Sequence, residues 1–378
     1  VANFGNITKC STSLVKLIKT KGVSFMTQTQ EKTLPETEIK LPSFSMIYET
    51  ENLSSVELEN IYRSLASIAN QDISPEQANE FLTIEGDYAP EEVIAQLCSK
   101  YPWIQVKRMP GITYHEAKMK GATLATGEIV VICDSDCIYE PNWLRNMLTP
   151  FAKNSDVYVV AGETTTPIRN PYELAVAMNY LFRRFSRREH PYPSNHYHLN
   201  SVAFRRSFLL ENPIPIGLPL YRGHCKVHTH DLCELKGYTI WKHPQARAIH
   251  EPPVITFISW RYLLYGRDDV LSEKAKFYLT QNQQNFNKIM PESNPTFAQQ
   301  IYTFIRSILK PFKPKQVLEV FQEDPRRILM LPLAIPIILW FRLLFLVGQI
   351  VTYFQPDLLL KLYKNVASKS ERTASINL

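Results

Sequence analysis

The stretch VVICDSDC, Val130–Cys137, places two carboxylates directly behind four residues that should be buried. Val130, Val131, Ile132 and Cys133 form the continuous apolar run of a strand threading the middle of a sheet. Working backwards, strands and helices alternate from Ser43. FSMIYE (44–49), NEFLTIEGD (79–87) and IQVKRMP (104–110) read as strands. SSVELENIYRSLASIANQ (54–71, opened by a serine), APEEVIAQLCSKYP (89–102) and ITYHEAKMKGATLAT (112–126) read as helices. This spacing predicts βαβ units and a mostly parallel sheet covered on both faces, an α/β fold.

Ligands of such sheets bind beyond the carboxyl ends of the strands. Three predicted strand ends carry acids there: Glu49 with Glu51, Glu85 with Asp87, and Asp134 with Asp136. Each alone reads as a helix cap or a solvated loop acid. Together they repel one another unless a cation or a hydrogen-bonding ligand offsets them. In an extended chain Asp134 and Asp136 face the same way. Carboxylate oxygens in that arrangement suit Mg²⁺ or Mn²⁺, which keep positions open for phosphate.

The chain has 378 residues, 45% of them hydrophobic and 21% charged, which is the composition of a globular protein. The formal charge of +6 is modest, and no nucleic-acid partner is expected. Six scattered cysteines show no dense disulfide pattern and point to a reducing compartment. The first 25 residues lack a continuous apolar core of a secretory signal. Met26 is a candidate natural start, with a processed or tagged terminus as the equal alternative, and residues 1–42 are expected to be peripheral. PNWLRNMLTPFA continues as a helix and DVYVVAGETTTP as a strand. PYELAVAMNYLFRRFSRREHP (171–191) carries an apolar stripe and a cluster of Arg183, Arg184, Arg187 and Arg188, predicting one helix. That cluster suits a membrane surface, an anionic substrate or simply a helix C-terminus.

Ile328–Phe354 is the most apolar stretch and long enough to cross a bilayer. Pro332, Pro336 and Arg342 interrupt it. Arg326 and Arg327 precede it, and Lys361, Lys364, Lys369 and Arg372 follow it. A hairpin or in-plane segment with both ends cytoplasmic is the expectation, with a buried helical hairpin as the alternative.

Several motifs together resemble family 2 glycosyltransferases of the GT-A fold. HEAKMKGATLATGEIVVICDSDCIYEPNWL is similar to that family's run through the D-x-D strand. HLNSVAFRRSFLLE (198–211) is similar to its N-x-A-x-R-R motif, and HDLCELKGYTIWKHPQARAIHEPP (230–253) to its closing segment. The likeness spans about Phe44 to Asp269 in the same motif order. It implies sugar transfer from a nucleotide-diphospho-sugar donor to an acceptor hydroxyl, inverting and metal-dependent, in polysaccharide or glycolipid synthesis. It further implies that Glu49 and Glu85 line the nucleotide pocket, Lys118 approaches the diphosphate, and Asp134 and Asp136 hold the metal with His250 beside it. Asn200 and Arg205 would shape the acceptor side. With a membrane-associated C-terminal region, the resemblance suggests a saccharide or lipid-linked acceptor and a cytoplasmic catalytic domain. The implied division is 1–42, a transferase domain over 43–270, and a helical membrane-associating region over 271–378.

Two departures stand out. IEGD replaces the usual D-D-G-S at the second strand. VHTHDL replaces the acidic pair before D-L that normally supplies the catalytic base, leaving Asp231 first and His228 second as candidates. GHCKVHTHDLC also gathers a His/Cys mixture compatible with zinc, although without paired spacing. WRYLLYGRDD lacks the Q-x-x-R-W signature of processive synthases, which implies single-sugar transfer. Its Arg261 and Arg267 are either diphosphate partners or part of a solvated helix. Two rivals remain: a nucleotidyltransferase, which should carry an early glycine-rich phosphate loop absent from IYETENLSS, and a non-catalytic nucleotide-sugar-binding relative.

Overall fold

A computed structural model describes residues 39–52, 59–179, 182–281 and 314–363. The peripheral extension expected before Ile39, the Ser54 cap and the basic residues from Lys364 onward lie outside these residues. The first half follows the predicted alternation: β1 (Phe44–Glu49), α1 (Glu59–Ala69), β2 (Phe81–Glu85), α2 (Glu91–Lys100), β3 (Ile104–Arg108), α3 (Tyr114–Leu124) and β4 (Ile129–Asp134). Strands β3, β2, β1 and β4 pair in parallel in that order. Every residue of β1, β2 and β4 is buried, as their unbroken apolar runs require.

Beyond β4 the sheet changes character. It continues with β8 (Ser201–Arg205), β6 (Val159–Thr165), β9 (Ile240–His250) and β5 (Cys137–Tyr139), while β7 (Tyr192–Ser194) pairs with β9. β8 is antiparallel to both β4 and β6, and β5 is antiparallel to β9. The sheet is therefore mixed rather than mostly parallel. β9 alternates buried and half-buried residues along its whole length, the period-2 pattern of a strand with one covered face. Its register against β6 shifts after Gly162, and Pro244 sits in the irregularity, where no ladder hydrogen bond is lost. Gly162 allows this close approach, since a Cβ there would lie 2.5 Å from the Ala246 carbonyl oxygen.

The helix expected over 171–191 is shorter. α5 covers Pro171–Asn179, and Phe182–Arg188 is irregular. Side chains decide this. Phe182 is buried against the His198 and His250 rings. Arg184 donates to Thr165 Oγ1 and the Thr166 carbonyl and pairs with Glu323. The arginines are thus not a helix C-terminal cluster.

After α4 (Trp143–Lys153), α6 (Arg206–Glu211) and α7 (His224–His230), α8 runs unbroken from Ile255 to Gln281. The domain boundary placed at 270/271 falls inside it. α9 (Pro314–Glu323) precedes α10, Leu331–Phe354, one continuous helix rather than a hairpin. Pro332 occupies its first turn, where no N–H is needed. One face of α10 packs on α5 and α8 through Ala334, Ile338 and Phe341. The opposite face leaves Leu333 68% and Leu339 60% exposed. Its helix is long and apolar enough to cross a membrane, by length and composition.

Backbones of α8 and α10 nearly touch where they cross. A Cβ on Gly348 would lie 2.1 Å from the Leu263 carbonyl oxygen, and one on Gly266 would lie 2.0 Å from that of Phe345. Gly348→Ala is therefore expected to push the helices apart and cost about 1–3 kcal/mol. Thermal unfolding in mild detergent checks this, and an unchanged midpoint would contradict the contact.

Candidate active site

The site forms where β1, β4 and β9 end and β5 begins. Asp134, the last residue of β4, faces Glu49 of β1 across the sheet. Both carboxylates are buried, so the fold must supply a cation. Lys118 of α3 is that cation: its fully buried ammonium donates to Asp134 Oδ1 at 2.5 Å and to the Cys133 carbonyl at 2.6 Å, with Glu49 Oε1 at 4.0 Å. Gly121 lets α3 approach closely enough, because a Cβ there would lie 2.5 Å from Ile47 Cγ2. Tyr114, one helical turn before Lys118, donates its hydroxyl to Asp134 Oδ2 at 2.7 Å, and Asn52 Nδ2 donates to the same oxygen at 3.0 Å. Burial works against the Lys118 ammonium, but Asp134 and Glu49 outweigh it and hold its pKa above the usual range. Burial pushes Glu49 up to about 8 even though Lys118 opposes it.

These contacts correct two expectations. Lys118 is a buried counterion, not a group reaching out toward a diphosphate. The chain turns at Ser135–Asp136, which breaks the same-side alternation expected of Asp134 and Asp136. Both Asp134 oxygens are taken by Lys118, Tyr114 and Asn52.

Asp136 faces a different partner. The antiparallel pairing of β5 with β9 sets Cys137 opposite His250. His250 Nε2 consequently lies 3.1 Å from Asp136 Oδ2, an oxygen that receives no well-aligned hydrogen bond. Burial disfavours the Asp136 carboxylate, but His250, Arg261 and Arg222 outweigh that and hold its pKa below the usual range. Donor atoms of Asp136, Cys137 and His250 lie within 4.8 Å of one another, the one such group of three among the described residues. A buried carboxylate oxygen without a good donor, beside an imidazole, fits a divalent cation. The zinc set considered in GHCKVHTHDLC does not come together. The His224 ring lies tilted against that of His115, centroids 4.1 Å apart, while His228 points elsewhere.

Two arginines flank the acids. Arg222 lies over the Tyr114 ring at 3.7 Å and donates to Asn52 Oδ1 at 3.0 Å, which Arg261 also reaches at 3.4 Å. Both line a cavity of about 100 Å³ with Asp134, Asn200, His198 and His250. Arg222, Tyr197, His198 and Tyr265 also line an adjoining cleft of about 750 Å³. Asn200 lines the small cavity, its amide donating to Cys137 Sγ at 3.4 Å. Arg261 is at the site, whereas Arg267 is buried away from it, bonded to the Pro356 carbonyl and Asp268. Arg222 and Asn52 carried no sequence signal. They belong to loops that only the folded chain brings to the strand ends.

Other expected site residues lie elsewhere. Glu85 spends its oxygens on its own loop, accepting from the N–H groups of Asp87, Tyr88 and Ala89 and from the Thr50 hydroxyl. Arg205 is opposite Ile129, at the start of β4, about 17 Å of strand from the acids. There it bonds Glu128 and the Val157 carbonyl. His228 is buried with both ring nitrogens engaged, by the Tyr197 hydroxyl at 2.6 Å and the Asn212 carbonyl at 2.9 Å. Burial takes its pKa down to about 4. Asp231 pairs with Lys236 at 2.7 Å and lines a separate cleft of about 1000 Å³. Neither is placed to take a proton beside Asp136.

Comparison with known proteins agrees with the motifs. Residues 56–212 match the family described as Glycosyl transferase family 2. Over these residues the chain is similar to a family 2 glycosyltransferase domain. N-acetylgalactosaminyltransferase 6 of Drosophila melanogaster is 30% identical over 122 residues, covering 30% of this chain and 17% of that protein. Glucosyl-dolichyl phosphate glucuronosyltransferase of Haloferax volcanii is 36% identical over 52 residues, 14% of this chain and 16% of that protein. The chain thus spans about a sixth of the length of these curated relatives. Among solved structures, GalNAc-T7 with UDP, GalNAc and Mn²⁺ aligns with a TM-score of 0.47 at 15% identity, over 70% of this chain and 58% of that one. Mannosyltransferase PcManGT from Pyrobaculum calidifontis with GDP-Man and Mn²⁺ aligns at 0.49 and 15%, over 84% and 88%.

The buried charges of the transferase domain make two predictions. Lys118→Met leaves Asp134 and Glu49 without their cation and should cost about 3–5 kcal/mol in denaturant unfolding. Glu49 titrates at about 8 when folded against an ordinary 4.5, so the folded state holds its proton more tightly. Its contribution to stability is whole below pH 4.5 and is lost as pH rises through 8. Glu49→Gln should therefore flatten the fall of the unfolding midpoint between pH 5 and 8. Parallel curves for the two proteins would contradict this.

Proposed function

We propose that the protein transfers a sugar from a nucleotide-diphospho-sugar donor to an acceptor hydroxyl, as a GT-A-type, inverting, non-processive enzyme working with Mn²⁺ or Mg²⁺. The carrying observation is the convergence of Asp136 and His250 at the sheet mouth, with Arg222 and Arg261 beside them. Asp136 and His250 would hold the metal, with the Cys137 sulfur nearby. A carboxylate with an imidazole favours Mn²⁺, since Mg²⁺ prefers oxygen alone. When bound, the ion supplies charge that stabilises the departing diphosphate.

The chain's own groups supply the rest. Arg222 and Arg261 present guanidinium N–H groups suited to phosphate oxygens. Asn200 borders the reaction cavity from the turn that precedes β8. His198 is the one imidazole, among the described residues, lining both the small cavity and the larger cleft. It takes the acceptor proton in this reading, the role that Asp231 and His228 are not positioned to fill. The exposed apolar face of α10, with Arg326 and Lys361 near its ends, favours attachment in the plane of a membrane surface from the cytoplasmic side. The product would then be a glycolipid or polysaccharide.

Incubation of the pure protein with Mn²⁺ and a panel of UDP- and GDP-sugars tests this. Donor cleavage or transfer should occur with at least one donor and fall about a hundredfold or more in Asp136→Asn. His198→Gln should lower transfer while sparing donor binding. Nucleotide-sugar binding without turnover by any acceptor would replace the enzyme reading with that of a non-catalytic binder.

A further inference from the structure

Arg222 reaches the acids from a segment without helix or strand. Residues 212–223 include Pro213, Pro215 and Pro219 and enter α7 at His224. A guanidinium at the end of such a segment keeps one position only if its backbone is held from elsewhere. Asp268, buried on α8, supplies that hold. Its Oδ2 accepts the N–H groups of three successive residues, Tyr221 at 2.9 Å, Arg222 at 2.6 Å and Gly223 at 2.8 Å. Charge-assisted bonds of this kind are strong, and three on one oxygen fix the local backbone. Asp268 is itself braced, because Arg267 Nη1 donates to its Oδ1 at 3.2 Å while Arg267 Nε donates to the Pro356 carbonyl beyond α10.

The other end of Arg222 is oriented as well. Its Nη2 donates to Asn52 Oδ1 at 3.0 Å and to Glu51 Oε1 at 3.3 Å, and the guanidinium lies over the Tyr114 ring. These bonds use Nη2 alone; Nε and Nη1 make none among the described residues. Pairing therefore aims the guanidinium without consuming it. Asn52 also donates to Asp134, so a displaced Arg222 would disturb the acid's shell too.

Resting on the proposed transferase activity, we propose that Asp268 is a positioning residue of the donor site: by fixing the backbone of residues 221–223 it holds the Arg222 guanidinium where the donor diphosphate binds. Two features separate this role from simple attachment of α7 to α8. As a bare charge, Asp268 would repel a diphosphate, so its removal would tighten binding; as a positioner, its removal weakens binding. The next residue, Asp269, also ties α7 to α8, but through the Lys226 side chain at 3.0 Å rather than through the backbone that carries Arg222.

Calorimetric titration of the full-length protein with UDP and with GDP, in Mn²⁺, tests this without turnover. Asp268→Ala should weaken the nucleotide that the wild type binds by about tenfold, the worth of one charge-assisted hydrogen bond. Asp268→Asn, whose amide oxygen can still accept the three N–H groups, should weaken it less. Asp269→Asn should stay within about twofold of the wild type. In an Arg222→Gln background, either Asp268 substitution should add no further loss. Should Asp268→Ala fail to fold, the Asp268→Asn pair reads the same coupling. Unchanged or tighter binding in both Asp268 variants would overturn the proposal, as would an equal loss in Asp269→Asn or a loss additive to that of Arg222→Gln. Donor cleavage with an uncoupled Asp268 refutes this inference alone, whereas coupled nucleotide binding without cleavage of any nucleotide-sugar upholds it and refutes the transferase reading.

Discussion

Two carboxylates at adjacent strand ends, Glu49 and Asp134, share one buried ammonium, and the architecture of the site follows from that necessity. Without that ammonium Asp134 would be neutralised or would drag water into the sheet, while Glu49, 4.0 Å from it, is already pushed by burial toward its neutral form. Lys118 resolves the conflict only because α3 packs tightly on β1, which Gly121 permits. Tyr114 on the same helix face and Asn52 on the β1 loop complete the shell of Asp134. With its oxygens thus committed, Asp134 fixes the end of β4 and the turn that follows. That turn hands the open chemistry to Asp136.

The second constraint is a strand register. β5 is only three residues long, yet its pairing with β9 sets Cys137 against His250 across more than a hundred residues of sequence. Asp136 and His250 thereby meet in a buried place that also receives Arg222 and Arg261. The mixed half of the sheet is thus the part that assembles the site, while the parallel half delivers and stabilises its acids. α8 and α10, held together at Gly266 and Gly348, carry the cleft wall.

The sequence made the parallel half legible because its physics is local. VVIC and FSMIYE are apolar runs bounded by helix starts, and their acids fall at strand ends by count. His250, Asn200 and Asp136 were identified through motif resemblance, and geometry brings them together. What stayed hidden depends on contacts distant in sequence. Nothing in HEAKMKG distinguishes a lysine that reaches a ligand from one buried between two acids. Nothing in VHTHDL reveals that His228 turns inward to Tyr197 while Asp231 faces another cleft. The apparent helix over 171–191 fails because Phe182 and Arg184 are worth more to the fold when the chain opens there. His198 lay inside a quoted motif, yet its place between two cavities is visible only in three dimensions.

The most direct measurement is a Mn²⁺ titration followed by electron paramagnetic resonance, without nucleotide, on the wild type and on His250→Gln. The account predicts a single tight site in the wild type that weakens at least about tenfold when the imidazole is removed. Undiminished Mn²⁺ affinity in His250→Gln, or a wild type that binds no Mn²⁺, would contradict the assignment of Asp136 and His250 as the metal-holding pair.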